Sequence, residues 1–522
     1  MPPTTRSARS DLIVVALIGA AIAVWLGVRR LGLPATVALV VAALVVVSTA
    51  AAAVARRRPK RRDARHDHGL SRAQLSREVG ELGVRERGRH ARPSLSGLRL
   101  PPASHVGLLL GTAGRTAVWA SVEDSILVVG PPRSGKTASV VVPLSISAPG
   151  PIVATSTRPE VARLAAPRRS GAQWGFAPAS LDAPPDGRIE PLRWHPARGC
   201  EDPMIAVTRA QALVAAGSGL GGSVSNADFW AGSAASILRC YLHAAALDGR
   251  PATDILAWSA SPRHPTPIAI LERAPGAAPG WADELRAASS DPRLAANVWA
   301  GVQRSLDSLR IPAVAEACSP TEAAAWTPDD LLDEPGAALY LWGDASSQMS
   351  VAPLIAALVQ DVVDSARRRA AVSTGGRLDP PLSLVLDEAA NIAPLPELPV
   401  ILSDGGGSGI TTVVILQSLA QARGRWGEAR SNAMWDAATL KLVLPGLAHA
   451  SDLEAISRLI GEVEVATRSH SRSDGGTSET EASTWRPRWS PDEIRRLPHG
   501  RALLLSRRAP ALELVLRPHW ER

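Results

Sequence analysis

Cysteine, lysine and two of the three large aromatics are scarce in this sequence, and each shortage excludes something. Three cysteines in 522 residues, Cys200, Cys240 and Cys318, lie far apart with no CxxC and no histidine at ligand spacing. That rules out a disulfide framework or a zinc cluster as the basis of the fold, and reduced thiols are expected. With two Phe and two Tyr, the core must be built largely from Ala, Val and Leu. Lysine is confined to Lys60, Lys136 and Lys441 against 54 arginines. A compact ammonium at one of these places therefore points to a task that the wide, planar guanidinium does not perform equally. No internal repeat is apparent, and the spacing of His66 and His68 does not make a metal site.

The net charge of +8 is unevenly distributed. Residues 1–55 carry +3 and residues 56–100 carry +9, which leaves −4 for the rest of the chain. The high isoelectric point thus belongs to one arm and is weak evidence for nucleic acid, since such an arm is first a topology signal and a surface for anionic lipid. Before the arm stand two uncharged apolar runs, residues 12–28 and 35–55, each near the length that crosses a bilayer. Arg6 and Arg9 would also suit a cleaved signal peptide, but "RRRPKRR" at 56–62 reads as a stop-transfer signal. The sequence therefore predicts two N-terminal transmembrane helices with both ends in the cytoplasm and residues 29–34 outside. The expectation is a multi-pass protein of the cell (inner, cytoplasmic) membrane with the bilayer as a partner and most of the chain cytoplasmic.

What is present is a phosphate cradle. "GPPRSGKT", formed by Gly130, Pro131, Pro132, Arg133, Ser134, Gly135, Lys136 and Thr137, follows the apolar run 125–129. Glycines let backbone N–H groups approach phosphate, the lysine serves the β and γ oxygens, and the threonine hydroxyl serves magnesium. The helical "TASVVVPLSI" behind it turns its N-terminus to the anion. A second strand, in "PLSLVLDEAANI" at 381–392, ends in Asp387 and Glu388. Asp387 suits a magnesium ligand and Glu388 a base that polarises water. A third strand, in "ITTVVILQSLAQ" at 410–421, ends in Gln417, which either senses the γ-phosphate or is a helix-capping or surface residue. Lys441 in "ATLKLVL" is expected as an exposed strand residue, with a nucleotide or a neighbouring subunit as the alternative.

The 250 residues between Thr137 and Asp387 exceed what a bare core needs. From about 200 to 334 the sequence reads as helices, whereas strands and helices alternate on either side, which predicts a mostly parallel sheet covered on both faces. The expected order is an anchor (1–56), a basic juxtamembrane linker (57–100), the first part of a P-loop ATPase core (101–199), an all-α domain (200–334) and the second part of the core (335–522). Within the last part, 468–484, "RSHSRSDGGTSETEAST", is expected as a mobile loop. Glycine-rich "SDGGGSGI" at 403–410 could be another.

This order resembles the type IV coupling proteins of conjugation and type IV secretion, the TraG/TraD class, with the actinobacterial members most alike in composition. The resemblance rests on the paired spans, "GPPRSGKT", the helical insertion with "DFWAGSAASILR", "LVLDEAANI", "ILQSLAQ" and the tail "SPDEIRRLPHGRALLL". It implies an α/β, RecA-like P-loop ATPase core with an inserted all-α domain, using ATP and Mg2+ and working as a homo-hexamer. It also implies that the chain recruits a relaxase or relaxosome with single-stranded DNA, or a protein cargo, to secretion-channel ATPases and membrane subunits. Carried over, Lys136 and Thr137 bind phosphate and magnesium, Asp387 holds magnesium, Glu388 activates water and Gln417 reports hydrolysis. Arg423 and Arg425 are candidates for the arginine that such rings supply from the next subunit. Three features depart from the family: a very short outer loop, Arg158 where many members have Asp-x-Lys, and the glycine run. An FtsK-type duplex translocase and an ATP-binding docking scaffold are the competing readings; no LSGGQ-like stretch precedes Asp387 to suggest an ABC transporter.

Overall fold

Strands that are apolar at every position bury both faces. The computed structural model describes residues 69–177, 186–217, 227–290, 292–343, 348–473 and 476–521, all within one unit, His68–Arg522. Helices α1 (Arg72–Glu78) and α2 (Glu81–Ala91) come first. They are followed by strands β1 (Gly107–Ala113), β2 (Thr116–Ser121) and β3 (Ile126–Val129), helix α3 (Val142–Ser147), then β4 (Ile152–Ser156), β5 (Gln173–Phe176) and β6 (Ile189–Pro191). Every named element in residues 203–332 is helical, the longest being α4 (Pro203–Gly217), α5 (Ala227–Leu247) and α6 (Pro292–Leu306). Strand β7 (Ala338–Trp342), helix α7 (Gln348–Val372), β8 (Leu382–Leu386), α8 (Ala389–Ile392), α9 (Leu398–Asp404) and β9 (Ile410–Leu416) continue the chain. It closes with α10 (Leu419–Ala437), β10 (Leu440–Val443), α11 (Ala450–Ile460), β11 (Glu462–Ser473), β12 (Gly476–Pro487), β13 (Arg501–Ser506) and β14 (Leu512–Val515).

Among the described residues twelve strands form one sheet in the order β2-β1-β14-β13-β10-β3-β9-β8-β4-β7-β5-β6. From β10 to β6 all pairs are parallel, and β13, β14, β1 and β2 extend the sheet antiparallel. Successive side chains point to opposite faces, so Leu127 and Val129 join one core cluster and Ile126 and Val128 the other. The first cluster includes the helices of 203–332 and α7; the second includes α3 and α1.

Helix α7 is buried at every position from Val351 to Val363, more than the single stripe its apolar spacing suggests, because α4 lies against it. Two polar side chains, Gln360 and Asp361, are consequently buried. Asp361 pairs with Arg209 of α4 at 2.5 Å and accepts the Trp194 indole N–H at 2.8 Å. One turn on, Asp364 accepts from Thr208 at 2.9 Å and from Gln360 at 2.8 Å.

The basic linker is not a free arm in its described part. Helices α1 and α2 dock on the sheet, with Leu75, Val79 and Val84 buried. Some of its arginines are engaged within the fold. Arg85 donates to the carbonyls of Leu100 and Pro101, and Arg92 pairs with Asp379 at 2.7 Å and donates to the His105 carbonyl. Charge counting alone does not distinguish an arginine used in this way from one left in water.

Residues 468–484 are also not a loop: their described part lies in the β11–β12 hairpin, paired from Glu462↔Pro487 to Ser473↔Gly476. Two strands that satisfy each other's backbone groups need no apolar alternation, so composition gave no sign of them. The glycine run is likewise fixed in place. A Cβ on Gly406 would lie 2.2 Å from the Glu123 carbonyl oxygen, and Gly409, at φ +77°, would place one 2.6 Å from the Leu378 carbonyl. Gly406→Ala is expected to cost about 1–3 kcal/mol through overpacking, seen as a lower Tm in thermal unfolding.

The expected multi-pass membrane localisation is corrected: among the described residues no helix is long and apolar enough to cross a membrane. The two apolar runs on which that expectation stood, 12–28 and 35–55, lie outside the described residues.

Candidate nucleotide site

Sheet order assembles the site. Strand β9 lies between β3 and β8, so Gln417 leaves the sheet between the loop that begins at Gly130 and the acids that follow Leu386. In open parallel sheets ligands collect at this carboxyl edge. The Gly130 N–H donates to the Leu416 carbonyl at 2.9 Å, pinning the mouth of the cradle to the end of β9. A Cβ on Gly130 would meet Leu444 at 2.5 Å and Ser134 Oγ at 2.8 Å, and Gly135 has φ +85°, so both positions require glycine. Pro132 and Arg133 form the exposed tip, and Pro131 lies against Gly446.

Among the described residues two that are not glycine adopt left-handed backbone, Arg133 (φ 63°) in the cradle and Glu388 (φ 52°) after β8. Strain of this kind, of order 1–3 kcal/mol, persists only where the surroundings fix it. At Glu388 they do. Lys136 Nζ lies 2.8 Å from Glu388 Oε1, the Gln417 side-chain amide donates to Oε2 at 2.7 Å, and the Glu388 N–H donates to Asp387 Oδ1 at 3.1 Å. Thr155 at the end of β4 donates to the Asp387 carbonyl at 2.7 Å and braces the acid turn. Burial pushes the Asp387 carboxyl up to about 7, against the pull of Lys136 and of a hydrogen bond from Thr137.

These residues fit a nucleotide with a divalent cation. Ser134 Oγ is buried without a hydrogen-bond partner, inside a loop that glycine keeps open. A cation beside the Thr137 hydroxyl and Asp387 would offset the burial that holds the acid up.

The structure thus brings Gly130, Gly135, Lys136, Thr137, Asp387, Glu388 and Gln417 to one edge. Arg423 and Arg425 are engaged elsewhere. Arg423 makes a two-pronged pair with Asp452 at 2.9 and 3.3 Å. Arg425 donates to the carbonyls of Ala215 and Ala216 at the end of α4, at 3.2 and 2.8 Å, and burial lowers its pKa to about 10. Lys441 is buried rather than exposed: its ammonium donates to the Ala438 carbonyl at 2.7 Å and sits 5.4 Å from the centre of the Trp435 ring. Ala438 precedes β10, at the sheet edge opposite the cradle. Lys441→Met is therefore expected to leave ATP turnover within about twofold of the parent, as steady-state kcat and KM would show.

Sequence reading missed Thr155 and His499. The His499 ring lies 3.3 Å from where a Cβ on Gly135 would stand, an approach across more than 350 residues that no local pattern signals. The cysteines are all buried, and burial pushes their thiols to about 12, which leaves them unreactive.

With this geometry in hand, a family model described as the TraM recognition site of TraD and TraG matches residues 381–499, the segment that carries the acids and Gln417. Among solved structures, the chain is similar in fold to the bacterial conjugative coupling protein TrwBdeltaN70 in its unbound form. The identity is 17%, the TM-score 0.57, and 81% of this chain and 91% of that one are covered. The complex of TrwB with the non-hydrolysable ATP analogue ADPNP gives 17% identity, TM-score 0.54 and coverages of 76% and 86%. Its complex with ADP and Mg2+ gives 18%, 0.56, 84% and 92%. No curated protein matches the sequence. The family model covers residues 381–499 alone, and the likeness to the solved structures is one of fold, an α/β core with a large parallel sheet.

Proposed function

We propose that this chain is a P-loop ATPase that drives transfer of cargo, a relaxase-bound single DNA strand or a protein, into a type IV secretion or conjugation channel. The observation that carries the reading is the single cluster of Lys136, Glu388 and Gln417 beside Asp387. The core is RecA-like, and the helices of 200–334 are its all-α insertion, where cargo or its adaptor is met. The partners are a relaxosome, a reading in keeping with the TraM recognition named for the matched segment, and the channel's ATPases and membrane subunits. The ring is a homo-hexamer.

The mechanism follows from Lys136 having two anionic claimants. Without nucleotide its ammonium neutralises Glu388. The β and γ phosphates of ATP draw it away and leave Glu388 held by the Gln417 amide, with one carboxylate oxygen free to take a proton from water. The Gly130–Thr137 backbone cradles the phosphates. Thr137 and Asp387 would hold Mg2+, which neutralises charge developing on the phosphate oxygens. Gln417, donating to the same carboxylate, orients water and registers loss of the γ-phosphate.

The test is ATP turnover by the full chain without DNA, with single-stranded DNA and with duplex DNA. Stimulation by single strands supports export, preference for duplex supports an FtsK-type translocase, and ATP binding without turnover in any condition supports a docking scaffold.

A further inference from the structure

Beside Gln417 lies a pair of amides, Gln421 behind β9 and Asn391 behind β8, that the nucleotide reading leaves unused. Ser418 caps α10 by accepting the Gln421 N–H at 3.1 Å. In an ordinary capping box the side chain three residues on would reach back to the N–H of the cap residue itself. Here it reaches one residue further: Gln421 Oε1 accepts the backbone N–H of Gln417 at 3.1 Å. The other end of the same amide donates to Asn391 Oδ1 at 3.2 Å. Asn391 stands on α8, and its N–H donates to the Glu388 carbonyl at 2.8 Å. The circuit closes where the Gln417 side chain meets Glu388 Oε2 at 2.7 Å.

Two of these links, Gln421 to Asn391 and Gln417 to Glu388, join the chain end of β9 to the chain end of β8. Four side chains and two backbone N–H groups thereby fix the separation of Glu388 and Gln417, independently of the phosphate cradle. A group serving only to start α10 would bond within its own turn, as Ser418 does. Gln421 instead bridges two different elements, and both lead directly into the site.

We propose that Gln421 is a positioning residue for nucleotide hydrolysis: anchored on Asn391, its amide holds the Gln417 backbone so that the Gln417 side chain stays on Glu388. The proposal rests on the reading of Glu388 and Gln417 as the hydrolytic pair. Because Gln421 acts through Gln417, its removal changes the chemical step and leaves the phosphate cradle intact.

The experiment is steady-state ATP hydrolysis by the full chain. Gln421→Ala is expected to lower kcat about five- to tenfold, the size of one lost hydrogen bond, with KM within about twofold. In a Gln417→Ala background the same change is expected to cost nothing further, since residues acting as one unit are non-additive. Gln421→Glu keeps the acceptor for the Gln417 N–H, and the Asn391 amide turned about can donate to it, so this variant is expected to recover most of the rate. Losses that multiply in the double variant overturn the proposal, as does a lower Tm with no change in kcat. Absence of turnover in the parent would instead sink the ATPase reading. The relay is then read by hydrogen exchange at residues 417–421 with and without ADPNP. Protection gained in the parent and lost in Gln421→Ala upholds it, and equal protection in both overturns it.

Discussion

Glu388→Gln is expected to lower ATP turnover roughly 10²- to 10⁴-fold through loss of the proposed general base, and to tighten nucleotide binding. The first effect follows from chemistry, since a neutral amide cannot take the proton of the attacking water. The second follows from the ligand-free geometry. Lys136 is held by Glu388 at 2.8 Å in a nearly buried pair, and ATP must break that contact to claim the ammonium. Without the carboxylate the ammonium is left buried and poorly compensated, which raises the free energy of the empty site and not that of the occupied one. Titration with a fluorescent ATP analogue should therefore give a lower Kd in the variant, and ATP should raise its Tm by more than that of the parent. A Kd raised in step with the loss of turnover would show that Glu388 supports binding and would remove the competition from the mechanism.

Arg209→Ala should be the most destabilising single change outside the nucleotide site, by about 3–5 kcal/mol. The Arg209 side chain is fully buried and that of Asp361 is 5% exposed. Truncation would leave the Asp361 carboxylate deep between α4 and α7, with only the Trp194 indole donating to it. The Arg209 guanidinium also lies 5.3 Å from the centre of the Trp194 ring, so truncation removes that contact as well. The urea midpoint should fall with little change in the slope m. Replacing both partners, Arg209→Met with Asp361→Leu, should return most of the stability, because an apolar pair of similar volume avoids the uncompensated charge. If the double variant is as unstable as Arg209→Ala, packing and not charge burial is the cause.

How much of this was legible in the sequence depends on the range over which each signal acts. The cradle was readable because its requirements are local: glycines where backbone meets phosphate, one of only three lysines, and a hydroxyl, all within eight residues. Asp387 and Gln417 were readable because each ends an apolar run that could only be a strand buried on both faces. The helices of 203–332 and the strand pair β13–β14 followed in the same way from periodicity and turn residues.

Arginine use was not legible, because guanidinium groups are committed by partners remote in sequence. Arg92 meets Asp379, Arg209 meets Asp361 and Arg425 meets the end of α4, so a basic linker became a docked helical pair and two candidates for an intersubunit arginine became internal fastenings. Lys441 is the counterpart on a strand, where a side chain that reads as exposed is carried inward by the neighbours of β10. By itself, then, the sequence determined the α/β alternation, the glycine-rich loop after β3 and the acids at the end of β8, because backbone conformation and strand burial are short-range properties of the chain. Only the tertiary structure decided that β9 separates β3 from β8, and therefore that Lys136, Glu388 and Gln417 meet, because strand order is set by packing across the whole sheet.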